Sequence, residues 1–233
     1  MRWAGGVIQQ QRSAPPSTLL NGLDAWFSFD EASGNILDSS GNGYTHTEQN
    51  GVSRTAGKVS GCSTFNGTND YYNRSGGTYP WDSSTDFTIA AWVRPRSSSR
   101  ISIISTTNNI QGINLELNAT YDPRINVYAG GWRRINLGIN TFSFNTWHCI
   151  IAWLDQAGRI VYISGDNGTP ASTSTFTTPT VATSAQCSIG GYNGSQYFWN
   201  GEIDELAIWN RILTADERTE YYNSGNGIGY GNL

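Results

Sequence analysis

Residues Gly201 to Asn210 read GEIDELAIWN and run directly into RILTADERTEYYNSG, residues 211–225. At period two, Ile203, Glu205, Ala207 and Trp209 share one face of a strand, and Glu202, Asp204, Leu206 and Ile208 the other. Neither face is cleanly polar, which suits a strand held between two layers. A helix is expected next. Thr214 can accept from the backbone as an N-cap, and Glu217, three residues on, can return its carboxylate to the Thr214 N–H. Asn223-Ser224-Gly225 then supplies the stop, with Gly225 free to take a positive φ.

The rest of the composition agrees with many short strands. The chain has 233 residues, of which 37% are hydrophobic and only 14% charged. Its 27 glycines, 9 tryptophans and 12 tyrosines belong with turns and aromatic strand faces rather than long helices. The formal net charge is −4 and no basic block occurs, which argues against nucleic-acid binding. Cys62, Cys149 and Cys187 make an odd set without metal-ligand spacing, and are read as small buried hydrophobes. No run of ~20 apolar residues exists to span a membrane, and the N-terminus lacks a signal-peptide core.

Residues 1–20 read as an arm or linker, because Gln9-Gln10-Gln11 leads into Ser13-Ala14-Pro15-Pro16-Ser17. The domain is placed at residues 21–233. LDAWFSFDE (23–31) opens it, and Asp38–Gly43 is a tight polar turn. FTIAAWVR (87–94) is a clear strand ended by Pro95. Strands are also expected at 101–105, 113–118, 125–128, 135–138, 147–154, 159–164 and 186–190. A dozen or so short strands with one C-terminal helix describe an all-β, two-sheet antiparallel jelly-roll sandwich.

Six segments, in order, resemble the laminin-G-like branch of the concanavalin A-like lectin/glucanase superfamily, which also contains the pentraxins. They are Ala25–Gly43 (AWFSFDEASGNILDSSGNG), Gly57–Tyr72 (GKVSGCSTFNGTNDYY), Phe87–Pro95 (FTIAAWVRP), Asn145–Asp155 (NTWHCIIAWLD), Cys187–Tyr192 (CSIGGY) and Gly201–Glu217 (GEIDELAIWNRILTADE). The resemblance implies two curved antiparallel sheets packed face to face. It implies no single function, since the fold serves binders, enzymes and structural pieces.

The superfamily's glucanases use E-x-D-x-E on one strand face, with the two glutamates ~5–5.5 Å apart. Here Glu202-Ile203-Asp204 begins the pattern, but Leu206 takes the last position and Glu205 is expected on the opposite face. A bulged version would need an acid at Ala207. No Ser/His/Asp arrangement is recognisable, and His46 and His148 stand alone. The chain is therefore read as non-catalytic.

The resemblance further implies a structural calcium where the last strand passes the first loops. Asp38, Gly41, Asn42 and Asp204 are the candidate ligands, with Asp30 in reserve. Equally, Asp38 could cap its own turn and Asp204 could bond a neighbouring loop. Sugar recognition needs flat aromatic faces beside amides and charged groups, and two segments qualify. The first is Tyr192–Asn200, with Tyr192, Asn193, Gln196, Tyr197 and Trp199. The second is Tyr128–Arg134, where Trp132 lies beside Arg133 and Arg134 and could meet an acidic sugar or carboxylate. Such aromatics could instead cover a sandwich end or face a partner subunit.

Two functional classes follow. One is a carbohydrate-binding or adhesion module, including a calcium-stabilised module of a larger extracellular bacterial protein. The other is a surface component of an assembled particle, of a phage decoration or fibre kind, docked to neighbouring subunits through residues 1–20. The second is the leading expectation, because it accounts for an arm and for a start at Met1 without an export signal. Both place the protein on a virion or cell-surface exterior.

Overall fold

The computed structural model describes residues 17–76, 79, 81, 84–97, 99–106, 112–138, 141–173, 175–176 and 186–233. The first strands are β1 (Leu23–Phe27), β2 (Thr47–Gln49), β3 (Ser53–Ala56), β4 (Gly61–Asn66) and β5 (Tyr71–Ser75). Then come β6 (Phe87–Pro95), β7 (Ile101–Ser105), β8 (Ile113–Leu117), β9 (Pro123–Tyr128) and β10 (Trp132–Asn136). The last are β11 (His148–Asp155), β12 (Ile160–Gly165), β13 (Ala171–Ser172), β14 (Gln186–Ile189) and β15 (Asn200–Trp209), followed by helix α1 (Ala215–Tyr222).

These strands form two antiparallel sheets, the jelly-roll sandwich expected. One runs β13-β12-β11-β6-β15-β4-β3, with β1 also paired to β15; the other runs β10-β9-β8-β7-β14-β5-β2. Period-two alternation builds the core between them. Ile113, Leu115 and Leu117 of β8, and Ile125 and Val127 of β9, point inward to meet Ile89, Ala91 and Val93 of β6 and Ile150, Ala152 and Leu154 of β11. The first sheet has a second apolar layer on its outer face. Trp26, Trp92, Trp153 and Trp209 lie there under Leu213 and Tyr221. These four tryptophans are core, as their strand patterns lead one to expect; Trp147, expected in the core with them, precedes β11 and is only partly buried against this layer. The three cysteines are buried and free.

β15 is correctly located, but its faces are not those of a regular strand. The register on β6 shifts between Asp204 and Ala207, and Glu205 takes φ 46°. This bulge adds one residue on one strand, so the phase of alternation changes across it. Ile203, Leu206 and Ile208 therefore face the inter-sheet core, while Ala207 and Trp209 face the outer layer. The expected sharing of one face by Ile203, Ala207 and Trp209 is corrected accordingly. The bulge also divides β15 between partners: Asn200–Ile203 pair with β4, and Leu206–Trp209 with β1.

Helix α1 has the anticipated capping box. Glu217 N–H donates to Thr214 Oγ1 at 3.2 Å, and Thr214 N–H donates to Glu217 Oε2 at 2.8 Å. Asn223 and Ser224 join Gly225 at positive φ in the stop. Arg211 donates to both oxygens of Glu217 and holds that carboxyl down at about 2. Of the expected 1–20 arm, residues 17–20 are described and are docked on this corner. Leu19 is fully buried, Thr18 Oγ1 donates to Glu217, and Trp209 Nε1 donates to Leu19 O. Residues 1–16, which carry the rest of that expectation, lie outside the described residues.

Candidate functional site

On the outer face of the second sheet, the two aromatic segments singled out in the sequence come together. Trp132 from β10 and Tyr192, Gln196 and Tyr197 from the loop before β15 line one open cleft of about 180 Å³. Its other walls and floor are Arg100, Asn114, Asn126 and Arg134. The loop is held in place by backbone bonds. Tyr192 and Gln196 form a tight bridge, Ser102 N–H donates to Tyr197 O, and Asn193 N–H donates to Ser105 Oγ. Tyr192 and Tyr197 meet edge to face at 5.7 Å, and the Arg100 guanidinium lies 4.0 Å from the centre of the Tyr197 ring.

The floor is a polar network on the face opposite the core. Since Ile113, Leu115 and Leu117 point inward, Asn114 and Glu116 must point outward, as must Arg124 and Asn126 on β9. Glu116 is fully buried at its centre. It accepts from Arg100 Nε at 2.9 Å, Arg124 Nε at 2.6 Å, Asn114 Nδ2 at 2.6 Å and Asn126 Nδ2 at 2.9 Å. Two guanidinium groups and two amides thus compensate the desolvation of one carboxylate. One floor atom stands apart. Asn126 Oδ1 is buried and has no hydrogen-bond partner.

Not every expected ligand residue reaches this cleft. Trp199 is fully buried in the inter-sheet core, and its Nε1 donates to Glu202 O at 3.2 Å. It precedes β15 and packs as a strand residue would. Arg133 pairs with Val127, whose side chain is in the core, so alternation sends it to the other side of β10 from Trp132 and Arg134. β10 itself begins at Trp132, three residues earlier than the sequence suggested, which puts the indole on a rigid strand. Asn193 buttresses the loop through its backbone. Arg100, Asn114 and Asn126 were missed by the sequence reading. For Asn114 and Asn126 the signal is a polar residue at every second place in otherwise apolar strands, as in INLEL and PRINVY.

The candidate calcium ligands take part in two sets of hydrogen bonds, one around Asp38 and one around Asp204. Asp38 accepts from Trp26 N and Ser40 N on Oδ1 and from Tyr44 N on Oδ2, so it caps its own turn. Asn42 donates to Leu23 O and Asp24 O, and Gly41 serves the same turn at φ 87°. Asp204 instead accepts from Lys58 N, Val59 N and Glu205 N. Gly57 makes that loop possible, since a Cβ there would stand 2.6 Å from Asp204 Oδ2. Asp30 accepts from Gly61 N. Each of these carboxylates thus accepts from backbone N–H groups. Among the described residues, no group of three or more His, Cys, Asp or Glu is arranged to hold a metal.

The acids of β15 are equally committed. Glu202 is gripped by Arg94 and Arg96, and Glu205 by the Trp26 indole N–H. Burial pushes the Asp204 and Glu205 carboxyls upward, and for Glu205 the neighbouring Asp204 adds to the effect. The position that a bulged glucanase pattern requires is Ala207, and it lies in the outer apolar layer beside Tyr221.

One arrangement not recognised in the sequence is a chain of hydrogen bonds through His148. Its Nδ1 is 2.7 Å from Asp166 Oδ2, and its Nε2 is 3.2 Å from Ser143 Oγ. The order is that of a hydrolytic triad, and it corrects the reading of His148 as a lone residue. The same Nε2 also accepts from the Ser143 backbone N–H at 3.0 Å, and Phe142 stacks on the ring at 4.2 Å. The lone pair a general base would use is therefore already engaged in closing the 143–148 turn.

Comparison with known proteins adds three findings. A family model described as the concanavalin A-like lectin/glucanase superfamily matches residues 66–217. No curated protein sequence matches the chain. Among solved structures, the binding domain of Paraclostridial Mosquitocidal Protein 1 has a TM-score of 0.72 at 18% identity, covering 89% of this chain and 53% of that one. The botulinum neurotoxin serotype G binding domain gives 0.67 at 18% identity, with 86% and 50% covered. Domain 4 of AbnA, an extracellular GH43 arabinanase of Geobacillus stearothermophilus solved in complex with arabinotriose, gives 0.66 at 18%, with 85% and 97% covered. The chain spans about half the length of the toxin domains and nearly all of the arabinanase domain. At these identities the likeness is one of fold.

Proposed function

The chain belongs to the concanavalin A-like lectin/glucanase superfamily, and from that premise we propose that it is a non-catalytic carbohydrate-binding module of a surface or extracellular protein. The cleft on the outer face of the second sheet carries this reading. It sets the rings of Trp132, Tyr192 and Tyr197 around a floor of fixed amides and guanidinium groups. That combination suits a sugar, whose C–H face lies on an aromatic ring while its hydroxyls exchange hydrogen bonds with planar polar groups. At about 180 Å³ the cleft is smaller than the ~300–1,000 Å³ of drug-sized pockets, so it accommodates about one sugar ring. The arabinotriose held by the similarly folded arabinanase domain supports the same reading.

Catalysis is not part of this proposal, because Ala207 stands where a second carboxylate is required. Nor does the cleft include any of the acids considered for calcium. The test is a glycan array with the folded protein, in calcium and in chelator, repeated with Trp132→Ala. Defined glycans are expected to bind under both conditions, and the variant to bind at least ~10-fold more weakly with an unchanged Tm. Silence from folded protein, or full binding by Trp132→Ala, would overturn the assignment. The particle-component reading rests on an arm of which residues 1–16 lie outside the described residues, and nothing in the cleft favours it.

A further inference from the structure

Resting on that glycan-binding reading, we propose that the cleft selects an acidic sugar: a carboxylate is received by Arg134 while the ring stacks on Trp132. The charge around the cleft is the first ground. Arg100 and Arg134 line it, Arg124 anchors its floor, and Glu116 is the carboxylate that faces them. Three guanidinium groups meeting one carboxylate leave positive charge unmatched, in a chain whose formal net charge is −4. Arg100 and Arg124 are both committed to Glu116. Arg134 is exposed, and no ion pair joins it to any described residue.

Strand geometry supplies the second ground. Trp132 and Arg134 are two residues apart on β10 and so share a face, roughly 7 Å from one another along the strand. That is about the span of one sugar ring with its exocyclic carboxylate. A guanidinium receives a planar carboxylate through two parallel N–H bonds, which an ammonium could not do. The third ground is Asn126. It pairs directly with Arg134 across the β9–β10 ladder, is 3% exposed, and leaves Oδ1 without a donor. A buried acceptor left unsatisfied is costly. A ring hydroxyl placed beside the carboxylate would donate to it. The stacking ring, the cation and the acceptor thus line up on neighbouring positions of two paired strands.

The experiment is an array of carboxylated, sulfated and neutral glycans, followed by titration of the best carboxylated ligand and its carboxyl-reduced analogue. Wild-type protein is expected to bind carboxylated glycans and to lose at least ~10-fold in affinity when the carboxyl becomes a hydroxymethyl. Arg134→Gln should bind the acid at least ~10-fold more weakly and discriminate little between acid and analogue, so the two changes are coupled. The exposed position of Arg134 makes an unaltered Tm the control for folding. Binding confined to neutral or sulfated glycans, or an Arg134→Gln variant with unchanged affinity, would overturn the acidic-sugar inference while leaving the glycan module standing. An array silent throughout would sink both.

Discussion

The two sheets share a core but present opposite outer faces. On the first sheet, Trp26, Trp92, Trp153 and Trp209 are sealed beneath Leu213 and Tyr221, with Ile228, Tyr230 and Leu233 packed alongside. On the second, Asn114, Glu116, Arg124 and Asn126 form a polar floor bordered by aromatic rings. Each face includes a buried acid, and the two acids have different company. Glu116 is paired with two arginines, Arg100 and Arg124. Glu205 has an indole N–H and another acid for company, so burial drives it toward the neutral form. The sealed face holds the fold, and the open face is available for a ligand.

The largest separation between the faces should come from exchanging their tryptophans for alanine. Trp209 is fully buried and makes edge-to-face contacts with Trp26 at 6.0 Å and Tyr221 at 5.9 Å. Trp209→Ala is expected to cost about 3–5 kcal/mol of stability, yet folded molecules should keep full glycan affinity. Trp132→Ala should do the reverse, costing under ~1 kcal/mol and losing binding. Denaturant melts alongside glycan titrations measure both. Equal stability losses in the two variants would break the distinction.

A smaller effect should appear in pH dependence, and its sign is fixed. Burial raises Glu205 to about 9, against ~4.3 in an unfolded chain. Between those values the folded state retains a proton that the unfolded state has released, so stability falls as pH rises through that window. Asp204, raised to about 7, acts in the same direction. Glu205→Gln keeps an acceptor for Trp26 and removes the titration. Thermal melts from pH 5 to 9 should show a clear decline in Tm for the wild type and a shallower one for the variant. Identical slopes would mean that Glu205 is ionised in the folded protein.

Much of the architecture could be read from the chain. Alternation in FTIAAWVRP and HCIIAWLD, the Thr214–Glu217 capping box, and the ordered superfamily segments pointed to the jelly roll and its single helix. The bulge at Glu205 could not be read, because a one-residue insertion in a ladder is a property of the paired strand and leaves no periodic mark of its own. The cleft was half legible. Trp132, Tyr192, Gln196 and Tyr197 stood out as aromatic or amide groups near turns. Asn114 lies on β8, Asn126 on β9 and Arg100 just before β7, and only sheet pairing brings them together. Trp199 looked like its loop neighbours but sits immediately before β15, where burial decides its role. Arg133 and Arg134 are chemically alike, and a single step of strand alternation separates the one in the cleft from the one outside it.

The most direct test of the central claim follows the tryptophan indole N–H signals by NMR while the best array glycan is titrated into the folded protein. The Trp132 signal, assigned through Trp132→Phe, should shift progressively with ligand, while those of Trp26, Trp92 and Trp209 stay in place. Shifts confined to the sealed-face tryptophans, with Trp132 unmoved, would contradict the assignment of binding to the open face.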